Sequence, residues 1–471
     1  MIVRKQIFGG LGIYFALRLF SYFFSPGTPL YSANPVNWII SAGILLTTVY
    51  FLLKKDQRGW LIIAAEMILG GAGNFLEVYG VSLRTLLLVF SITIFFSQSV
   101  KNKTYNLFLG NKIALYIFIA FYAIIGSSAI RGFFDSHNLK LIFADTVPYL
   151  FFLYYFPLKQ LAASESFVKI SSNLLFSAII GNFIFTYFTL AGFSSGIFVL
   201  QDSYYHWFRD VASGKITDYG TGFFRIILNE QLLLVPLFLL MLHNIIARRQ
   251  QNAADTAISK NNWIASPKLI MTGTLLVILA TNLTRIYFVA LAIGIIFLFS
   301  KTNWKRWLAY SAGAFIFFIL AFSLTHLAAT KGKSFGWEYL GLRLQSIAAP
   351  QTEESSLSRM LLLPKILEKI KLHPLLGNGL GDTVTVYSPI FKQNITTPHF
   401  DWGYLEIFAE MGIVGLVVWI LFVGYLILKT KQKRGLLASF LALLIINMTS
   451  PALFHVMGIA WVVYLLSHYD S

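Results

Sequence analysis

Apolar runs separated by short basic connectors extend along the whole chain. A membrane-spanning helix needs about 20 apolar residues to cross the hydrocarbon core. That ruler marks about fourteen segments, at 6–25, 36–53, 59–75, 80–98, 112–131, 140–158, 171–199, 222–246, 268–282, 285–300, 305–327, 403–428, 435–449 and 453–468. The expected fold is an all-α polytopic membrane protein of about 12–14 transmembrane helices, forming one integral membrane domain over 1–471. The first run follows Arg4 and Lys5 in the outline of a signal peptide, but Arg18 interrupts it and apolar runs continue after it, so it reads as an uncleaved span. No repeat of fixed period is visible, which argues against a solenoid and against an inverted-repeat transporter.

Composition agrees with this pattern. The 471 residues are 57% hydrophobic and only 12% charged, too few charges to coat a soluble protein of this length. The net charge of +17 does not point to nucleic acid, because the basic residues sit in connectors rather than in one basic domain. Short cytoplasmic connectors retain Lys and Arg. Lys54, Lys55 and Arg58; Lys101, Lys103 and Lys112; Arg248 and Arg249; Lys301, Lys305 and Arg306; and Lys429, Lys431, Lys433 and Arg434 then share the cytoplasmic side, with both termini. This requires 268–300 to cross twice, as two short helices joined near Asn282 to Arg285. Two segments are left facing outward, near 200–221 and over 328–402, the latter a large loop carrying most of the extramembrane mass. Within it, Ser355 to Leu372 has helical periodicity, with Pro364 expected to kink or divide the helix and its apolar face expected on the membrane surface. Absence of cysteine excludes disulfides, thiolate nucleophiles and cysteine-rich metal centres.

Several polar groups interrupt apolar surroundings, where they are costly unless paired or wetted. Arg285 lies between two apolar runs in Thr281-Asn282-Leu283-Thr284-Arg285. Arg225 stands at the outer start of a span, with Asn229 and Glu230 following at one-turn spacing, so that a helix-anchoring pair between Arg225 and either residue is the simple alternative. Two arginines at the outer boundary are planar charged forks suited to phosphate oxygens. Arg343 and Arg359 in the long loop either add to that field or are ordinary solvated side chains. The densest polar group is Thr396 to Tyr404. There His399 and Asp401 offer acid–base chemistry near neutral pH, or else Asp401 caps the following helix. Glu406 and Glu410 continue on that helix, implying a wet cavity or ionic partners. The stretch His373 to Asp382 is rich in glycine but lacks the strand and the Lys-Ser or Lys-Thr of a nucleotide loop, so its glycines are read as allowing a tight turn at positive φ. The eight histidines show no zinc-binding spacing, and no metal site is expected.

Two phrases, HPLLGNGLG (373–381) and PHFDWGYLEIFAEMGIVG (398–415), resemble the signature region of O-antigen ligases and Wzy-type O-antigen polymerases, in the family's order. TGFFRIILNE and NLTRIYFVALAIGI are similar, more loosely, to that family's arginine-bearing segments, so the resemblance covers about 220–430. It implies a GT-C-like membrane glycosyltransferase acting on undecaprenyl-diphosphate-linked glycans at the periplasmic face of a bacterial inner membrane. No nucleotide sugar, metal or cofactor is implied, and a chain-length regulator is a conceivable partner. By position, Arg225 and Arg285 would hold the diphosphate, with Arg343, Arg359, Glu230 and Tyr404 as further substrate contacts. In ligase-like members the catalytic histidine lies eleven residues before the first helix glycine. From Gly412 that spacing lands on Asp401, so the role falls to His399 or Asp401, and the form H-x-D-x-G-Y-L is nearer the polymerases. The expected activity is inverting polymerisation of lipid-linked repeat units. Ligation of the polysaccharide to lipid A-core is the alternative within the family, and a transporter or flippase of lipid-linked glycans is the alternative outside it.

Overall fold

The computed structural model describes residues 2–25, 35–103, 112–247, 267–348, 354–388, 392–398 and 400–469. Its helices, in chain order, are α1 (Ile2–Phe24), α2 (Pro35–Leu53), α3 (Gln57–Leu69), α4 (Leu83–Lys101), α5 (Lys112–Phe134), α6 (Leu139–Leu150), α7 (Tyr155–Leu161), α8 (Glu165–Ser195), α9 (Ser203–Asp210), α10 (Leu234–Ala247), α11 (Pro267–Asn282), α12 (Arg285–Phe297), α13 (Trp304–Ala329), α14 (Trp337–Ala348), α15 (Glu354–Leu372), α16 (Gly403–Thr430), α17 (Arg434–Ile446) and α18 (Val456–Tyr469). Three antiparallel two-stranded hairpins join them: β1 (Glu77–Val78) with β2 (Val81–Ser82), β3 (Gly214–Asp218) with β4 (Phe224–Leu228), and β5 (Val384–Ser388) with β6 (Gln393–Thr397). Among the described residues, nine helical stretches are long and apolar enough to cross a membrane, and four shorter apolar helices accompany them. The protein is a multi-pass all-α membrane protein.

Several expected spans take a different form. The 59–75 segment is a 13-residue helix, α3, capped by Asp56 and followed by loop and the β1–β2 hairpin. The 222–246 segment opens as strand β4, passes through a 3-10 turn at Asn229–Leu233 and becomes α10 only at Leu234. Arg225 and Glu230 are therefore not on one helix. The 268–300 run does divide, between Asn282 and Arg285, where Leu283 has φ 49°. Arg248 and Arg249 lie outside the described residues.

The chain forms two compact units. The first comprises 1–97, 160–284 and 291–339. Its centre is α8, packed against α1, α3, α11 and α13. Small residues allow the close approach of α1 and α8: a Cβ on Gly10 would fall 2.5 Å from Ser177 Oγ, and Gly181 lies against the Tyr14 ring. Ser177 Oγ also donates to the Ile7 carbonyl at 3.0 Å.

The second unit comprises 98–159, 285–290 and 340–471. Here α5 packs along α16 through an aromatic core in which Phe121 stacks on Phe422, centroids 5.0 Å apart, with Phe152 edge-on to the same ring. Pro364 does not divide α15, which is one 19-residue helix. Nor is its apolar face left for a membrane surface: Leu362, Ile366 and Ile370 are buried in one cluster with Val384 of β5, Phe400, and Ala409 of α16.

Candidate active site

In the first unit, the β3–β4 hairpin sets Arg225 opposite Thr217. Its Nε donates to the carbonyl of Asn282 and its Nη2 to Thr284 Oγ1 at 2.9 Å. Asn282 is the last residue of α11, where helix carbonyls lack intrahelical partners and the helix dipole is negative, so a cation is favoured there. Arg225 thus sits across the break between α11 and α12, held by the two residues that flank Leu283, and Arg285 is the next residue in the chain after Thr284.

Neither simple pairing of Arg225 with Asn229 or Glu230 is what holds Glu230. Its carboxylate accepts both Arg18 Nη2 contacts, at 2.8 and 3.0 Å, the Tyr14 hydroxyl at 2.9 Å, and Asn182 Nδ2. The Arg18 guanidinium lies 3.3 Å from the centroid of the Tyr14 ring. Glu230 is a part-buried counter-ion of Arg18, with protein donors on both of its carboxylate oxygens.

In the second unit, the two signature phrases form one interlocked element. Helix α16 breaks at Gly412, whose φ of 68° and ψ of −172° are non-helical. A break frees backbone donors and acceptors, and in an apolar surrounding each must be satisfied. The glycine-rich turn does this. Asn378 N–H donates to the Ala409 carbonyl at 2.8 Å and Gly379 N–H to that of Glu410 at 2.9 Å; the Ile413 and Val414 N–H groups donate to the carbonyls of Pro374 and Leu375, at 2.9 and 3.2 Å. The expected positive φ is found at Gly377, Gly379 and Gly381. Gly377 and Gly412 also need their missing side chains, since a Cβ would fall 2.3 Å from backbone atoms of Glu410 and of Leu375, respectively. Gly377→Ala should therefore lower the thermal unfolding midpoint of the purified protein sharply, a cost of about 2 kcal/mol or more from combined clash and left-handed backbone. A midpoint equal to wild type would refute the interlock.

Neighbouring helices clamp the turn. Arg131 Nη1 donates to the Gly377 carbonyl at 2.7 Å, and a His137 ring nitrogen lies 2.9 Å from the Leu380 carbonyl oxygen. Gly381 N–H donates to Asp145 at 2.9 Å, and Lys369 pairs with Asp382 at 2.6 Å. Glu410 is buried near the Asp145 carboxyl, and its Oε1 has no hydrogen-bond partner among the described residues. Glu406 is buried too and accepts Phe400 N–H at 3.4 Å, reaching back from the first turn of α16. Among the described residues no cluster of acids and histidines has the arrangement of a metal site.

His399 lies outside the described residues. Asp401 does not occupy the helix cap, which is Trp402. It has φ 57°, a left-handed conformation costing about 1 kcal/mol or more in a non-glycine residue. Tyr404 donates its hydroxyl to the Leu444 carbonyl at 2.7 Å and thereby anchors α17. Arg343 is buried and Arg359 half-buried, so neither is a solvated loop side chain. The Arg359 carbonyl accepts Trp402 Nε1 at 3.1 Å, while its own Nε is buried without a hydrogen-bond partner among the described residues. That brings Arg359 to the segment leading into α16.

Residues 270–420 match the family model for O-antigen ligase. In that stretch the chain is similar to the O-antigen ligase family. The family's members are membrane enzymes, ligases and polymerases, that act on glycans. No curated protein and no solved structure matches the chain. The O-antigen ligase stretch contains Arg285, the glycine-rich turn, His399, Asp401 and the break in α16, whereas Arg225 precedes it. In the sequence Arg18 stood out only as an interruption of the first span, and Asn182 and Gln231 in the first unit and Arg131, His137 and Asp145 in the second were passed over. The available signal was an ionisable residue inside an apolar run, as at Arg18 and Arg131.

Proposed function

We propose that this protein polymerises undecaprenyl-diphosphate-linked oligosaccharide repeat units at the periplasmic face of a bacterial inner membrane, with both termini in the cytoplasm. The observation that carries the reading is the O-antigen ligase match across 270–420, which spans both signature phrases. An acceptor sugar hydroxyl attacks the anomeric carbon of the lipid-linked donor with inversion. The glycosidic bond forms as the bond to the diphosphate oxygen breaks, the diphosphate leaves with the electron pair, and the hydroxyl proton passes to His399 or Asp401. Arg225 and Arg285 carry the leaving-group charge, each as a planar guanidinium suited to phosphate oxygens. Stabilising that charge is the larger contribution and base assistance the smaller. Arg359, whose buried Nε has no hydrogen-bond partner among the described residues, is a further candidate for substrate contact. Glu230 and Tyr404 are engaged by protein groups, and no direct step in the reaction is assigned to either.

The form H-x-D-x-G-Y-L at 399–405 favours polymerase. Transfer of finished chains to lipid A-core is the second reading, which the family match supports equally. Complementation of a deletion strain, with surface polysaccharide resolved on gels, separates them. Single-repeat glycan on lipid A without a ladder in the deletion means polymerase, and long lipid-linked chains with bare lipid A mean ligase. Ladders of wild-type intensity from His399→Ala and Asp401→Ala variants at matched expression would remove both residues from the reaction. A transporter or flippase would move labelled lipid-linked glycan across a vesicle without extending or transferring it.

A further inference from the structure

We propose that a buried row of side chains running from Arg18 to Asn282 is a positioning device for the Arg225 guanidinium, with the Glu230 carboxylate setting its direction. The proposal rests on the reading of Arg225 as the diphosphate ligand.

The row lies wholly within the first unit. Arg225 is held by the Asn282 carbonyl and by Thr284 Oγ1. Asn282 Oδ1 accepts Thr284 N–H at 3.1 Å, so one side chain fixes the whole turn that receives Arg225. Asn282 Nδ2 in turn donates to Gln231 Oε1 at 2.6 Å. Gln231 Nε2 donates to Thr186 Oγ1 at 3.1 Å and to Asn182 Oδ1 at 3.4 Å. Asn182 Nδ2 donates to Glu230, which Arg18 and Tyr14 hold from the other side. Arg18, Asn182, Thr186, Gln231 and Asn282 are all buried.

The chemistry of the row gives it a direction. A side-chain amide carries a donor end and an acceptor end, and either can face a neighbour until something breaks the tie. An ionised carboxylate only accepts. Glu230 therefore compels Asn182 to present its NH2 group, which leaves the Asn182 oxygen for Gln231 and the Gln231 oxygen for Asn282. The Asn282 oxygen is thus left for the backbone N–H of Thr284. Each choice dictates the next, and hydrogen bonds aligned head to tail polarise one another. The far end of the row is neutral. The carbonyl and hydroxyl that grip Arg225 are neutral and fix the plane of its guanidinium. The N-terminal helix α1 thereby contributes to a site whose named residues all lie beyond residue 220.

The test uses full-length protein reconstituted in lipid vesicles, with the lipid-diphosphate oligosaccharide that accumulates in the deletion strain as donor. Initial rates against donor concentration are measured for wild type, Arg225→Ala, Arg225→Lys, Gln231→Leu, and Gln231→Leu in the Arg225→Lys background. Gln231→Leu keeps side-chain bulk and cuts the row. It is expected to lower kcat/KM for the donor about tenfold or more, the scale of a lost hydrogen bond supporting a charged group. In the Arg225→Lys background the same change should cause no further loss, because an ammonium has no plane to orient. A Gln231→Leu enzyme with wild-type kcat/KM, or losses that multiply in the combined variant, would overturn the proposal, since a merely structural role acts regardless of residue 225. Should Gln231→Leu fail to reconstitute, Asn182→Ala cuts the row one link further from Arg225 and carries the same two expectations. Wild-type kinetics for Arg225→Ala would instead overturn the parent reading of Arg225.

Discussion

Arg225→Ala and Arg285→Ala are each expected to lower glycan formation by about a hundredfold or more at matched protein levels, the scale reported for removing one preorganised donor from a developing charge. A hundredfold corresponds to about 2.7 kcal/mol of transition-state stabilisation. On the proposed reaction the magnitude follows from the leaving group, which would be a diphosphate gaining charge as the glycosidic bond lengthens. Arg225 suits that task because its guanidinium is gripped by the Asn282 carbonyl and Thr284 Oγ1 at a helix C-terminus before substrate arrives. Lysine at either position should recover part of the loss, because it restores charge but not the planar pair of donors. Initial rates in reconstituted vesicles, with melting curves as the control for folding, are the measurement. Rates equal to wild type in both alanine variants would exclude the diphosphate role.

Glu230→Ala is expected to have the largest effect on stability, about 3–5 kcal/mol, the usual result of removing one partner from a buried ion pair. Arg18 is 3% exposed, and Glu230 supplies both of its ionic contacts. Without the carboxylate a guanidinium remains in an apolar interior, and the Tyr14 hydroxyl and Asn182 amide lose an acceptor at the same time. The readout is the unfolding midpoint in detergent together with the folded yield. Pairing Arg18→Met with Glu230→Leu should restore most of the stability, since apolar residues of similar bulk often replace a buried pair without penalty. If Glu230→Ala melts with wild type, the ion pair is not the buried anchor described here.

The membrane class and the all-helical fold were legible in the sequence because both depend on local properties. Helix length against bilayer thickness, and the scarcity of charge, can be read from consecutive residues. The glycines of 373–381 were legible for a similar reason: few other residues tolerate positive φ, and the structure finds Gly377, Gly379 and Gly381 there. The site was less so. Arg225 looked like the first turn of a helix because Phe223 to Ile227 is apolar enough for either state, and a short apolar run does not distinguish strand from helix by periodicity. Hairpin pairing with Gly214–Asp218 makes it a strand.

What the sequence by itself determined is therefore the solvent the chain lives in, the helical majority of its spans, and the identity of residues too polar or too small to be there by chance. Only the tertiary structure decided which of those residues meet. Glu230 follows Arg225 by five positions yet binds Arg18, 212 residues away, because the 3-10 turn at Asn229–Leu233 places it against α1 and α8. The turn at 373–381 and the break at Gly412 complete each other because a broken helix at membrane depth must find its backbone partners in another segment. Hydrogen bonds and buried charges are satisfied in space, and sequence distance has no bearing on that requirement.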